Sequence, residues 1–423
     1  MRKKSVFFAK PEEVDPERNV IATYYVESEL PVPTAGEQIA IEESIGTWTE
    51  VTTTRSWIRE KLPAKVFKWE GDNEGAVSVA YPNELFDVET GGVPNILSII
   101  AGNLFGLSAL KNVRLLDVDF PEEIIGAFPG PKFGIEALRK MAGTQDEERP
   151  HLGTIIKPKV GLNPKQTAEV AYEAAMGGVD FIKDDETLTD QKFCPLRERV
   201  AEVMVALDKV KEETGKNTFY AANITSNVGR MMGLAEAAIE HGANMLMVDV
   251  LTAGFSAVQM LADDPSIKVP LHIHRTMHGA ITRNPRHGIH MMVITKLVRM
   301  VGGDQLHTGT AAGKMEKTIA EVRRFNDFLR GAWHGLRTVF PVASGGIHPG
   351  LVPFNIDKLG EDLVINAGGG IHGHPNGTRA GARAMRQAIE ASTRNIPLEK
   401  YAETHKELSL ALKSWGYKYL TEE

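Results

Sequence analysis

The chain has 423 residues, long enough for two cores, and its 42% hydrophobic and 24% charged content is that of an ordinary globular protein. A net charge of −7 and a pI near 6.1 argue against a nucleic-acid partner, which would want a basic face. No apolar run approaches the roughly 20 residues of a membrane span, and the apolar stretch in MRKKSVFFAKPEE is too short for a signal peptide. Cys194 is the only cysteine, so no internal disulfide can form, which fits a cytoplasmic protein. In QKFCPLRER it reads as a structural thiol.

In chain order, NVIATYYVE (19–27) is β-branched and aromatic, as a strand should be. Thr34 is a candidate cap for a helix through AGEQIAIEES. Two strand-like runs follow, KVFKWE and GAVSVAYP. VPNILSIIAGNLFG then has the spacing of an amphipathic helix, and VRLLDVDFP closes the set. Residues 1–125 thus read as an α+β (ferredoxin-like) domain, with helices on one face of a mostly antiparallel sheet. FPGPKFG (128–134) punctuates the boundary to a second domain, 126–423.

From residue 150 the rhythm changes. Short apolar runs recur, each followed by a turn and a helical stretch: HLGTIIKPK, GVDFIKDD, FYAANIT, ANMLMVD, VPLHIHR, QLHTG, FPVASGG and DLVINAGGG. Helical segments such as PKQTAEVAYEAAM and TRAGARAMRQAIEA lie between them. Eight such alternations predict a C-terminal (β/α)8 TIM barrel.

Barrels of this kind build their sites at the C-terminal ends of the strands, and there this sequence keeps its unusual residues. The first strand ends with Lys157 and Lys159, the second with Lys183, Asp185 and Glu186. Asn223, Asp249, His274-Arg275 and His307 end the next four. Ser344-Gly345-Gly346 and Gly368-Gly369-Gly370 follow the last two. A solvated charge cluster would scatter over both barrel ends; this set converges on one. Asp185 and Glu186 are hard oxygen ligands suited to Mg²⁺, the plain alternative being an ion pair with Lys183. His272 and His274 alternate on a strand and so face the same way. A zinc site there is conceivable, as is a satisfied core histidine. The glycine turns after the last two strands suit a phosphate bound by backbone N–H groups. Arg275 and His307 suit a second phosphate. The set therefore points to a divalent metal between two anion pockets, hence to a bisphosphorylated substrate.

GGVDFIKDDE, GTIIKPKVGL, HIHRTMHGAITRNPRHGI, GGDQLHTGTAAGKME, FPVASGGIHPG and AGGGIHGHPNG, with EESIGTWTEV and SIIAGNLFG near the N-terminus, resemble the large chain of ribulose-1,5-bisphosphate carboxylase/oxygenase (RuBisCO). The compact length and the SGGIHPG and GTRAGARAMRQAIEA segments are most similar to the archaeal form III branch. The resemblance implies a carboxylase, with an oxygenase side reaction, that takes ribulose 1,5-bisphosphate and CO₂ or O₂. It implies a Lys183 amine that reacts with an activator CO₂ to give a carbamate. That carbamate, Asp185 and Glu186 would hold Mg²⁺. Lys157 would protonate the last carbanion, Lys159 would tune it, and His274 would assist proton movements at C3. Lys314 would neutralise the new carboxylate as the loop bearing it closes. Arg275 and His307 match one phosphate site. Gly346, Gly368, Gly369, Thr47 and Trp48 match the other, with Ser344 a further substrate contact. Glu42, Thr47, Trp48 and Asn103 would complete the site of a neighbouring subunit, so the expected unit is a homodimer or an assembly of dimers, without a small subunit. Ile155 and Lys317 depart from the family's usual threonine and glycine. A second reading is a RuBisCO-like protein, which performs ene-diolate chemistry without fixing CO₂; such relatives lose several of the substrate and loop residues retained here.

Overall fold

The computed structural model describes residues 5–47, 49, 51–314 and 318–418. The chain divides into two compact units. One is Met1–Pro129 together with Met277–Val301, the other Gly130–Thr276 with Gly302–Glu423.

The first unit is built on a five-stranded sheet. Its strands are β1 (Asn19–Glu27), β2 (Lys65–Trp69), β3 (Glu74–Pro82) and β4 (Asn112–Asp119), with a short fifth strand, Gly288–Ile289, from the later segment. The first four pair antiparallel, and the short strand runs parallel to β4 at the sheet edge. β1 alternates half-buried and buried residues along its whole length, so one face carries the core. On that face the Tyr24 hydroxyl lies 2.8 Å from that of Tyr81 and donates to the Ile100 carbonyl at 2.7 Å. The expected first helix runs Val32–Glu42, with Pro31 and not Thr34 at its cap. Proline with its fixed φ opens a helix without losing a bonded N–H, which leaves Thr34 inside the first turn. The next expected helix stops at Ile100, eight residues from its Gly92 start, and a 3₁₀ turn covers Leu104–Gly106.

The second unit is a closed parallel barrel. Its strands, numbered here in barrel order, are βA (His151–Ile155), βB (Phe181–Lys183), βC (Phe219–Asn223), βD (Met245–Asp249), βE (Leu271–His274), βF (Gln305–His307), βG (Phe340–Ser344) and βH (Val364–Ala367). All eight runs predicted from the sequence are present. Several strands are buried at every residue, as parallel strands covered on both faces must be. Phe181, Phe219, Ala221, Met245, Met247, Phe340, Val342 and Val364 fill the interior, joined by Ile135 and Leu138 of the helix Gly134–Ala142. These residues share one parity along their strands. The same parity puts Lys183, Asn223, Asp249, Ser344 and Asn366 on the same side, two residues further on. The apolar plug and the polar site are thus one column of side chains, read from bottom to top. Among the described residues no helix is long and apolar enough to cross a membrane.

Candidate active site at the strand ends of the barrel

βB ends in Lys183, whose amine is buried and donates to the Asp184 carbonyl at 2.7 Å. Glu186 Oε2 stands 4.0 Å away. Burial pushes the Lys183 pKa down from the ordinary lysine value, against Glu186, Asp185 and Asp249, which all pull it up. Carboxylates surround the amine, and desolvation carries the shift against them.

The two aspartates that follow play different parts. Asp184 is fully buried and turned away from the amine. Its carboxylate accepts from Arg199, from the Tyr220 hydroxyl at 2.6 Å and from the Asn223 N–H at 2.9 Å. Asp185 faces the site. Its Oδ2 accepts from Lys157 Nζ at 2.7 Å and its Oδ1 from the N–H and hydroxyl of Thr187. Burial alone would raise the Asp185 pKa, but these bonds hold it below the usual carboxylate range. Lys157, brought in by the end of βA, is half-buried; Lys159 is exposed on the loop beyond it. A Cβ on Gly368 would stand 3.2 Å from Lys157 Cε, so the glycine turn after βH borders the same lysine.

On the opposite wall, His274 Nε2 lies 3.9 Å from Glu186 and Nδ1 lies 3.2 Å from Asp249 Oδ1. The second distance is that of an ion pair, yet Nδ1 already accepts from the Thr276 N–H at 3.1 Å. The proton of the neutral ring is therefore on Nε2. Burial, then Lys183, lowers the His274 pKa, and burial raises Asp249 to about 7. The lowered His274 pKa speaks against an imidazolium–carboxylate ion pair here. His272 Nδ1 donates to Gln305 Oε1 at 2.8 Å, and its Nε2 faces His307 Nε2 at 2.9 Å. His272 is thus the satisfied core histidine of the HIHRTMH run, while His278 pairs with Thr282. Among the described residues no three His, Cys, Asp or Glu side chains are gathered to hold a metal on their own.

Arg275 is buried, with its Nη1 unpartnered, and burial lowers its pKa to about 10. A buried guanidinium with an unused donor is a receptor for an anion. Lys314 is exposed, and its N–H donates to the Gly345 carbonyl at 2.9 Å. At Gly346 (φ 80°) a Cβ would fall 2.8 Å from Lys314 N, so the glycine is required by the close approach of the Lys314 backbone. Ser344 is half-buried, and Gly369 opens the short helix Gly369–His372. In the first unit, Asn103 Nδ2 donates to Glu42 Oε1 at 3.4 Å, and Thr47 is exposed. Trp48 and Lys317 lie outside the described residues.

The geometry brings together Lys157, Lys183, Asp185, Glu186 and His274, with Asp249 and Asn223 as neighbours that the sequence placed at strand ends without a role. Asn223 Oδ1 accepts from Thr225, while Nδ2 reaches the carbonyls of Asp185 and Glu186 at 3.3 Å. It fixes the backbone on which both carboxylates hang.

Residues 134–415 match the family described as ribulose bisphosphate carboxylase large chain, catalytic domain, and residues 8–124 match its N-terminal domain. The chain belongs to this family. It is 46% identical to the ribulose bisphosphate carboxylase of Methanocaldococcus jannaschii over 89% of this chain and 92% of that one. Among solved structures it is similar to the octameric Rubisco of Pyrococcus horikoshii OT3, with a TM-score of 0.92 and 42% identity, covering 100% of this chain and 98% of that one. It is also similar to the dimeric archaeal Rubisco of Hyperthermus butylicus, with a TM-score of 0.89 and 38% identity, covering 98% and 100%. The relatives and neighbours are archaeal, as the form III resemblance implied.

Proposed function

We propose that this chain is a Mg²⁺-dependent ribulose-1,5-bisphosphate carboxylase, with an oxygenase side reaction, that yields two 3-phosphoglycerates. The observation that carries the reading is the buried Lys183 amine, held beside Asp185 and Glu186 with its pKa driven down by burial. A neutral amine is the form that adds CO₂, and the carbamate so formed is anionic. With Asp185 and Glu186 it would give a hard, all-oxygen donor set, which fits Mg²⁺. The fit is supported by what neutralises these carboxylates in the chain alone: the ammonium of Lys157 sits on Asp185 at 2.7 Å, where a cation is favoured. The ion, when bound, supplies a Lewis acid that stabilises an ene-diolate.

The chain's own residues do the rest. Arg275 and His307 would hold one phosphate. The N–H groups at Gly346, Gly368 and Gly369, with Thr47 and Trp48, would hold the other. The carbamate on Lys183 would take the C3 proton, with neutral His274 beside it to relay protons. Lys314 would bring positive charge to the carboxylate formed at C2. Lys157, bordered by Gly368 and free to leave Asp185 once a cation is there, would return a proton to the final carbanion. Lys159 would adjust it from the same loop, and Ser344 would bond the sugar. Glu42, Thr47, Trp48 and Asn103 would act in the partner's site of a homodimer or an assembly of dimers, a reading supported by the dimeric and octameric relatives.

Labelled CO₂ should enter 3-phosphoglycerate, faster after preincubation with bicarbonate and Mg²⁺, and not at all in Lys183→Ala. Lys314→Ala should keep solvent exchange of the C3 proton while losing fixation. Exchange without any label in phosphoglycerate from the unaltered protein would replace this reading with the RuBisCO-like one.

A further inference from the structure

Lys314 acts at the end of a segment that leaves βF and passes through Gly309–Gly313, so its reach depends on how that backbone is held. One buried side chain far away in sequence holds it. Asn355, on the helix Val352–Leu359, is fully buried. Its Oδ1 accepts from the N–H of Ala311 at 2.9 Å and of Ala312 at 3.4 Å. Its Nδ2 donates to the Ala312 carbonyl at 3.0 Å and to that of Leu351, the residue that caps its own helix, at 2.9 Å. Every donor and acceptor of the amide is used, and the pattern fixes which way it points. Turned over, its NH₂ would face two N–H groups and its oxygen two carbonyls.

Only Gly313 separates this grip from Lys314, and it has no slack. A Cβ there would lie 2.3 Å from the Gly345 carbonyl and 2.6 Å from Thr310 Oγ1. Lys314 is then tied by its own N–H to Gly345. The backbone is thus clamped on both sides of Gly313, by a side chain upstream and by the βG turn downstream.

We propose that Asn355 is a positioning residue, which fixes where the Lys314 ammonium is delivered by clamping the backbone of Ala311 and Ala312. The inference rests on the carboxylase reading for the use made of Lys314, but the clamp itself does not. Asn355→Leu keeps the branched shape and the number of heavy atoms and deletes all four bonds, leaving the half-buried Ala311 and Ala312 N–H groups and the Ala312 carbonyl without this partner. Asn355→Asp keeps the acceptor and loses both donors.

The test uses the intact assembly and two readouts. In the first, native protein is digested briefly with trypsin and cleavage after Lys314 is followed by mass spectrometry. The Leu variant should be cut there roughly tenfold faster or more, and the Asp variant should fall between it and the parent, with cleavage elsewhere unchanged. In the second, CO₂ fixation by Asn355→Leu should fall roughly 10- to 100-fold in kcat, as misplacing a catalytic group by about an ångström does. Exchange of the C3 proton should stay within about threefold of the parent, and KM for ribulose bisphosphate should move little. Unchanged cleavage after Lys314 in both variants overturns the clamp. A parallel loss of fixation and exchange overturns the positioning role in favour of a structural one. Faster cleavage in a protein whose unaltered form fixes no CO₂ would leave the clamp standing and remove the carboxylase reading instead.

Discussion

Glu43 shows how one buried carboxyl supports the turn that carries Asn103. It follows Glu42 at the end of the first helix, and its Oε2 accepts from the Gly102 N–H at 3.1 Å, one residue before Asn103. A Cβ on Gly102 would stand 2.9 Å from that oxygen. Its other oxygen, Oε1, is buried without a partner. Burial raises its pKa to about 7, against the backbone N–H groups of Leu104, Gly102 and Asn103, which lower it. A carboxyl raised from 4.5 to about 7 has extra proton affinity only in the folded state. Its contribution to stability is complete below 4.5 and is lost as pH rises through 7. Above pH 7 the fold carries a buried, half-satisfied charge. Glu43→Gln keeps an acceptor for Gly102 and removes that charge. The variant should melt higher than the parent at pH 8, by roughly 2–4 °C per kcal/mol relieved in a domain of this size, and the gain should shrink or vanish at pH 5. An equal shift at both pH values in a calorimetric scan would show that the charge is not the cause.

At the scale of the element, the end of βB is the part of the site that most depends on its supports. Asp184 sits between Lys183 and Asp185, and its carboxylate is locked by Arg199 and Tyr220, all three fully buried. Arg199 spends its remaining donors on the carbonyls of Cys194 and Thr189. Removing one partner of such a pair leaves an uncompensated buried charge, so Arg199→Met should cost about 3–5 kcal/mol of unfolding free energy. Tyr220→Phe should cost about 1–3 kcal/mol. The two losses should fall short of additive in the double variant, because both act through Asp184. Denaturant titration giving less than about 1 kcal/mol for Arg199→Met would mean that the charge is solvated or relocated. The sequence made βB and its charged end legible, because alternation sorts Lys183 from Asp184 without any structure. It gave weaker notice of the supports. Arg199 falls at the third position after Leu196 on a helix whose buried residues are Leu196, Val200, Val203, Leu207 and Val210. Asn355 likewise falls between Val352 and Leu359 on the buried face of its helix. A polar residue in an apolar stripe was the available signal. What it bonds to could not be read, since its partners come from distant turns whose approach is set by the closed barrel. His272 is the converse case: strand parity turned it inward with His274, but only the Gln305 and His307 contacts made it a core group.

The scale of the whole molecule decides whether one chain suffices for the chemistry. Both units were legible as separate runs of periodicity, an alternating sheet and then a repeated βα unit. The share of Met277–Val301 in the first unit was not, because that segment lies between two barrel strands and reads as an ordinary crossover. Glu42 and Asn103 stand together, bonded at 3.4 Å, in the first unit, while Lys183 and Asp185 belong to the second. Under the proposed function these groups meet across a dimer, each first unit serving its partner's barrel. That arrangement has an arithmetic consequence. If Glu42→Gln and Lys183→Ala chains are co-expressed and pair at random, about half of the dimers are mixed. Each mixed dimer then has one site with both lesions and one with neither, so about a quarter of all sites are intact. CO₂ fixation by the tagged and purified mixed dimers should therefore approach half that of the parent, while each variant alone falls well below. Were every site completed within its own chain, a mixed dimer would contain one Glu42→Gln site and one Lys183→Ala site. Its activity would then be the mean of those of the two single variants. Mixed dimers no more active than that mean would assign Glu42 to its own barrel and end the shared-site proposal, with the barrel chemistry untouched.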